Sequence, residues 1–136
     1  MTKVLVLDGS TTQALACVRA LGRAGHTLLV ADVERSPLAA WSRYSAGRYR
    51  LTGETREGFA ALRDWAVQQG VEVVLPQTER SCILCNLDRT AWESAGISVG
   101  CAPEDQLVRA FDKAYTWQFA EECGVRLPVH HVPQSL

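Results

Sequence analysis

The stretch "KVLVLDGSTTQALACVRALGRAGHTLLVAD", residues 3–32, decides the fold of this chain. Its first part, residues 3–9, is a nearly continuous apolar run that ends in Asp-Gly, as is typical of a strand buried on both faces of a parallel sheet. Residues 13–24 carry apolar side chains at helical spacing, with hydroxyl residues before them as caps and a glycine after them as a stop. A second apolar run, residues 26–32, follows at once. The stretch therefore predicts a β-α-β unit.

The same alternation continues through the rest of the chain. The predicted elements are a helical turn at residues 38–42 and a short strand at 48–51 within a long connection, helices at 56–69, 79–95 and 103–123, and strands at 71–76 and 97–100. Strands that alternate with helices require right-handed crossovers and a parallel sheet covered on both faces. We predict an α/β fold with a Rossmann-like, three-layer parallel sheet.

Length and composition indicate a single domain. A chain of 136 residues can bury about two thirds of its unfolded surface. With 47% hydrophobic and 21% charged residues and a net charge of -1, it lacks the basic field of a nucleic-acid-binding protein. No apolar run approaches the roughly 20 residues of a membrane span. We expect a cytoplasmic protein with no membrane or nucleic-acid partner. We also expect a domain over residues 1–128, followed over 129–136 by a tail or the start of a linker to a further domain.

The cysteines and histidines do not suggest a metal site. Cys82 and Cys85 form a lone CxxC motif inside a predicted helix, without a second pair or a nearby histidine. We interpret them as buried structural thiols, and we expect no disulfides. His130 and His131 are adjacent in the tail, so they lack the spacing that would turn both toward one metal.

Two loops follow predicted strands, at the edge where an open parallel sheet binds ligands. "DGSTTQ" leads into a helix, whose free N–H groups suit an anion, although its single glycine does not make a GxGxxG fingerprint. "PQTE" offers an amide, a hydroxyl and a carboxylate; Glu79 could orient a polar substrate, while Thr78 could cap the next helix. The candidate substrate-binding residues are Gly9, Ser10, Thr11, Gln13, Gln77, Thr78 and Glu79.

Two further features have competing interpretations. Asp32 ends the second strand, where a Rossmann enzyme holds a ribose, but without the glycines we interpret it as a turn or cap residue. "AAWSRYSAGRYR", residues 39–50, could stack on a nucleobase or RNA. Because the charge elsewhere is balanced, we favour packing for its aromatic residues.

Four segments together resemble a known family. They are "KVLVLDGSTTQALACVRALGRAGH", "VEVVLPQTE", "AGISVGCAPED" and "FDKAYTWQFAEECGVRLP". They are similar to the N-terminal, or pre-ATP-grasp, domain of ATP-grasp ligases such as biotin carboxylase and the large subunit of carbamoyl-phosphate synthase. The last segment resembles the passage of Asp-Lys, helix and Gly-x-x-x-Pro that leads into the ATP-binding lobes. The resemblance covers about residues 3–128.

The resemblance implies a function for several residues. ATP-grasp ligases convert a carboxylate into an acylphosphate with ATP and magnesium, and an amine or similar nucleophile then displaces the phosphate. Lys113 matches the family lysine that reaches the ATP phosphates, and Asp112 would steady the helix or that lysine. Spacing alone would make Lys113 a solvated helix lysine. The two loops would line the pocket for a small carboxylate, with Gln13 and Glu79 foremost.

The sequence departs from the whole-enzyme pattern. It has no glycine-rich lid, no second phosphate lysine and no late Glu and Asn ligands for magnesium. We therefore expect a substrate-side domain that is inactive alone, holds no cofactor tightly, and needs a missing ATP-grasp domain in cis or trans. The alternatives are a free-standing nucleotide or small-molecule binding module and a structural or dimerisation domain, with Trp65 or Trp92 exposed at the interface of a homodimer.

Overall fold

The computed structural model describes residues 1–129, which fall into two compact units that join in sequence between Cys101 and Ala102. The elements of the first unit are β1 (Lys3–Val6), α1 (Thr12–Arg23), β2 (Thr27–Asp32), a 3-10 turn (Leu38–Trp41), β3 (Ser45–Arg50), α2 (Arg56–Gln68), β4 (Val73–Leu75), α3 (Glu79–Leu87), α4 (Arg89–Ser94) and β5 (Ser98–Val99). The second unit contains α5 (Glu104–Phe111) and α6 (Lys113–Glu122). The expected tail lies outside the described residues except for Val129, and so do His130 and His131.

The sheet is all-parallel with five strands in the order β3-β2-β1-β4-β5. This confirms the predicted α/β, Rossmann-like class. The strand order reverses at β1, since β2 follows it on one side and β4 on the other. A crevice forms beyond the carboxyl ends of the strands at such a switch point. The loops after β1 and β4 therefore face each other across this crevice.

Hydrophobic clusters cover both faces of the sheet. Leu5 and Leu7 of the β1 segment pack with Phe59 and Leu62 of α2 on one face. On the other face Val4 and Val6 pack in a cluster with residues of α1 and β2. The apolar run at residues 3–9 therefore forms a strand buried from both sides, as predicted, although the strand ends at Val6. The main-chain φ of Asp8 is 57°, which is incompatible with an extended strand.

The helix predicted at residues 79–95 is wrong in extent, because the chain breaks it into α3 and α4 at Asp88. The backbone of Asp88 is non-helical, with φ -124° and ψ 28°. The break turns Trp92 into the core, where it is 0% exposed, while two apolar residues of α3, Ile83 and Leu87, are 43% and 48% exposed. Trp92 is thus excluded as an exposed interface residue.

The last predicted helix is also two helices. Asp112 separates α5 from α6 with a ψ of 104°, and its Oδ1 accepts hydrogen bonds from the N–H groups of Ala114 at 2.9 Å and Tyr115 at 3.2 Å. A side chain that caps a new helix in this way ends the previous one, because its own backbone is extended. Within residues 1–129 no helix is long and apolar enough to cross a membrane.

Candidate functional site at the switch point of the sheet

Asp8 connects the two loops of the crevice. Its Oδ2 accepts hydrogen bonds from the N–H groups of Gln77 at 2.8 Å and Thr78 at 2.9 Å, and from the Ser81 hydroxyl at 2.6 Å. The carboxylate thus satisfies N–H groups that open α3, where negative charge is favourable. Sequence reasoning missed this role, although an Asp after a buried strand at a switch point is a signal for it. The floor of the crevice is therefore held by a charge-assisted bond network.

The backbone around Asp8 is tightly turned. Asp is one of the few residues other than glycine that adopt positive φ readily. The Asp8 carbonyl accepts from both the N–H and the hydroxyl of Thr11, at 2.9 and 2.8 Å. Gly9 follows, and a Cβ there would lie 2.4 Å from Val30 Cγ1 and 3.0 Å from Pro37 Cβ. Close packing against Val30 and Pro37 therefore requires a glycine at position 9 of the loop after β1.

Asp32 supports the same loop from the neighbouring strand. Its Oδ2 accepts from the N–H of Ser10 at 2.7 Å, and its Oδ1 accepts from the N–H of Glu34 at 2.8 Å. The residue is only 6% exposed. Both oxygens are engaged by backbone donors, which agrees with the interpretation as a turn residue and leaves the ribose role without support.

The first turn of α1 follows the loop that Asp8 and Asp32 hold, and it carries backbone N–H donors. Thr11 caps the helix, because its Oγ1 accepts from the N–H of Ala14 at 3.1 Å. Thr12 and Gln13 are exposed, and the Thr12 hydroxyl donates to Gln13 Oε1 over 3.3 Å. The backbone N–H groups of a first helical turn point along the axis and favour an anion. A carboxylate or phosphate is the chemistry that this end of α1 can hold.

The loop after β4 is ordered by its own polar groups. The Gln77 amide donates to the carbonyls of Leu75 and Pro76, each at 3.3 Å. Thr78 caps α3 in a reciprocal capping box with Ser81, so the capping role expected for it is present. Glu79 is exposed in the first turn of α3. Of the three candidates in this loop, Glu79 is the side chain with the most freedom to meet a ligand.

Glu79 lines a cleft of about 460 Å³ beside α3. The other lining residues are Glu54, Arg80, Ile83 and Leu84, and Arg80 Nε pairs with Glu54 Oε2 at 2.8 Å. The residues described as lining the cleft include none from the "DGSTTQ" loop. The structure thus places the two loops side by side through Asp8, while Glu79 lines a separate cleft beside α3.

Cys82, Cys85 and Cys101 form a cluster of interacting thiols. Cys101, which follows β5, interacts with Cys82, and Asn86 Nδ2 donates to Cys101 Sγ over 3.3 Å. Burial, with a smaller contribution from Cys101, raises the pKa of the Cys82 thiol to about 12, and burial also raises the pKa of Cys85. These thiols are protonated near neutral pH and act as packing groups. Among residues 1–129 no group of three His, Cys, Asp or Glu side chains could hold a metal ion.

Comparison with known proteins identifies the fold. No protein-family model and no curated protein sequence matches the chain. Among solved structures, N5-carboxyaminoimidazole ribonucleotide synthetase from Thermotoga maritima matches 95% of the chain with a TM-score of 0.63 and 17% identity. The biotin carboxylase domain of a single-chain bacterial carboxylase matches 92% of it, with a TM-score of 0.59 and 20% identity. The chain has the pre-ATP-grasp fold.

A third structure with the pre-ATP-grasp fold agrees with this result. Glycinamide-RNase-transformylase T from Mycobacterium tuberculosis matches 89% of the chain, with a TM-score of 0.62 and 16% identity. The chain spans 30%, 33% and 35% of the lengths of the three structures. The part of each structure that matches this chain is thus about one third of a larger chain.

Lys113 lies in the second unit, at the first position of α6. It is exposed, and none of the ion pairs in the described part of the chain includes it. Asp112 steadies the helix by capping it, which is one of the two roles expected for that residue. The contact of Lys113 with ATP phosphates stays a prediction.

Proposed function

We propose that the chain is the N-terminal, substrate-side domain of an ATP-grasp ligase, which activates a carboxylate as an acylphosphate and joins it to an amine or similar nucleophile. The observation that carries the proposal is the Asp8 network, which holds the loops after β1 and β4 together at the switch point of a pre-ATP-grasp fold. Preorganised backbone donors at that position are suited to positioning an anionic substrate. A likeness of the domain to that of the carbamoyl-phosphate synthase large subunit is part of this proposal.

The residues of this chain would bind and orient the substrate. The backbone N–H groups in the first turn of α1 would bind the substrate carboxylate, and the exposed Gln13 amide would donate a hydrogen bond to one of the carboxylate oxygens. Ser10 and Thr11 would shape the approach, since their backbones are already held by Asp32 and Asp8. Glu79 would bind a cationic or hydroxyl group of the substrate or nucleophile that reaches the α3 cleft. ATP with magnesium supplies the phosphoryl group when bound.

The missing lobes would provide most of the ATP site. The described residues supply no cluster suited to magnesium, so its ligands would come from an ATP-grasp domain in cis or trans. Lys113, as an ammonium on a flexible stem, suits a phosphate oxygen at the border of that domain. This arrangement makes the chain inactive alone, with no tightly bound cofactor, in a protein that we place in the cytoplasm.

The test is ADP release by the complete protein, in which this chain is combined with its ATP-binding lobes, across a panel of small carboxylates. We expect one carboxylate to stimulate release, and Gln13→Ala to raise the KM for it about tenfold without changing the KM for ATP. Gln68→Ala, an exposed glutamine at the end of α2, is the matched control and should change neither constant.

Two results would contradict the proposal. Equal KM values for the carboxylate in Gln13→Ala and Gln68→Ala would remove the "DGSTTQ" loop from the site. Saturable carboxylate binding by the 136-residue chain alone, with no ADP release after the lobes are added, would favour the free-standing binding module instead.

A further inference from the structure

A second pocket lies at the other end of the sheet from the crevice. We call it the Trp41 pocket. It is lined by Arg19, Arg23, Trp41, Ser42, Arg43 and Tyr44. Helix α1 begins at the crevice, and Arg23 is its last residue, so about 16 Å of helix separates that arginine from Thr12. The volume of the pocket is about 490 Å³, within the range of small-molecule sites.

The aromatic residues of the segment 39–50, which contributes Trp41 and Tyr44 to the pocket, differ in what they contact. Tyr49 packs on Trp65 with ring centroids 4.9 Å apart. Tyr44 packs against Gly22, where an added Cβ would lie 2.4 Å from the Cβ of Tyr44. The packing interpretation of this segment holds for both tyrosines. It is wrong for Trp41, whose side chain is 75% exposed. An exposed indole leaves a flat aromatic surface free for a ligand.

The backbone that presents Trp41 is well ordered. The N–H of Ala39 donates to the Gly9 carbonyl at 2.7 Å, and the N–H of Ser42 donates back to Ala39 at 3.2 Å. The N–H of Tyr44 donates to the Ser42 hydroxyl over 3.3 Å. Trp41 is therefore held at the end of a short 3-10 turn that is tied to the β1 loop. Because folding already fixes the backbone at Trp41, ligand binding would lose little further conformational entropy there.

The charge of the pocket is of one sign. Its only charged residues are Arg19, Arg23 and Arg43, and no carboxylate of the described chain pairs with any of them. The Arg43 guanidinium lies 4.8 Å from the centre of the Tyr44 ring and donates to its hydroxyl at 2.7 Å. Three guanidinium groups in a chain of net charge -1 are a local concentration of donors for phosphate oxygens.

We propose that the Trp41 pocket binds a free nucleotide with two or three phosphates, whose base stacks on Trp41 while its phosphates contact Arg19, Arg23 and Arg43. The indole face matches a base, and the three guanidinium groups match the charge of a diphosphate or triphosphate. The pocket has room for one nucleotide. The rest of the chain carries more carboxylates than basic groups, so a longer phosphate backbone would find no basic track beyond the pocket. This site is separate from the crevice and independent of the proposed ligase function.

The experiment titrates the 136-residue chain with ADP and ATP by calorimetry, with adenosine and tripolyphosphate as partial probes. We expect saturable binding with a Kd below about 1 mM and at least about tenfold weaker binding of each partial probe. Trp41→Ala and Arg23→Ala should each weaken nucleotide binding about tenfold, whereas Trp41→Phe should retain most of it. Arg35→Ala, an exposed arginine just after β2, is the matched control.

Three outcomes would overturn the proposal. Nucleotide binding that is lost in Arg35→Ala and retained in Trp41→Ala would place the ligand at the crevice. Absence of saturable nucleotide binding would show that the pocket holds no nucleotide. Tighter, Trp41-dependent binding of an eight-nucleotide single strand than of ATP would make nucleic acid the occupant in place of a free nucleotide.

Discussion

Asp8 and Ser81 are 73 residues apart in sequence, yet the Asp8 carboxylate accepts a hydrogen bond from the Ser81 hydroxyl at 2.6 Å. The same oxygen accepts two backbone N–H groups from residues 77 and 78. One carboxylate therefore joins the central strand to the helix that follows the next strand of the sheet. The geometry of the crevice depends on this carboxylate.

Replacing Asp8 by Asn should destabilise the chain by about 1–3 kcal/mol, because the donors of the β4 loop lose a charged acceptor. Asn tolerates the positive φ at this position, so the change tests the carboxylate and not the backbone. The measurement is urea unfolding at neutral pH. Asp64→Asn, on an exposed face of α2, should change stability by less than about 0.5 kcal/mol. Equal effects of the two variants would show that the network contributes little.

Gly9→Ala should cost about 1–3 kcal/mol, because the new methyl group would lie 2.4 Å from a buried Val30 carbon and must displace it. Gly53→Ala is the control, since its nearest neighbour is 3.7 Å away, an ordinary contact. The thermal midpoints of the two variants can be compared directly. If Gly9→Ala unfolds at the temperature of Gly53→Ala, the loop after β1 is less tightly packed than described.

The pair of Arg56 and Asp88 should make stability depend on acidity. A two-pronged hydrogen bond from Arg56, with distances of 2.6 to 3.1 Å, lowers the pKa of Asp88, and the charges of Arg56 and Arg63 lower it further. A carboxyl whose pKa is lower in the folded state adds stability above its unfolded pKa of about 3.9, and that stability is lost as pH falls through the folded value. Both side chains are near the surface, so the effect should be small.

The measurement for this pair is the urea midpoint at pH 6 and at pH 3 for the parent chain and for Asp88→Asn. We expect the urea midpoint of the parent chain to be higher than that of the variant at pH 6, and the difference between the two midpoints to be smaller at pH 3. A difference that stays constant between the two values of pH would mean that Asp88 acts through the break between α3 and α4 and not through its charge.

Lys113→Ala in the complete enzyme should raise the KM for ATP about tenfold while leaving the unfolding midpoint unchanged, because the side chain is exposed. Lys113→Arg keeps the charge and should recover most of the loss. The measurement is ADP release at several ATP concentrations. Unchanged kinetics in Lys113→Ala would remove this residue from the ATP site.

Local sequence patterns predicted most elements of the fold but not every break. The strands around Leu5 and Leu29 could be predicted because a buried strand is a short, nearly continuous apolar run. Helix α2, expected at residues 56–69, could be predicted because its apolar side chains recur at helical spacing. The breaks at Asp88 and Asp112 were not predicted, because residues 79–95 and 103–123 were each expected to form a single helix. In each case an aspartate with non-helical backbone interrupts an apolar spacing that continues across it. Periodicity reports which side of the chain is buried, not whether the backbone bends there.

The sequence by itself determined the α/β class, the parallel sheet and the two loops at its carboxyl edge, since these follow from alternating apolar runs and helical spacing. Only the tertiary structure decided that Asp8 holds the β4 loop, that the free thiols of Cys82 and Cys101 interact, and that Trp41 is exposed beside three arginines. The physical reason is that strand order in the sheet brings together residues tens of positions apart. No local pattern in the chain records which of them will meet.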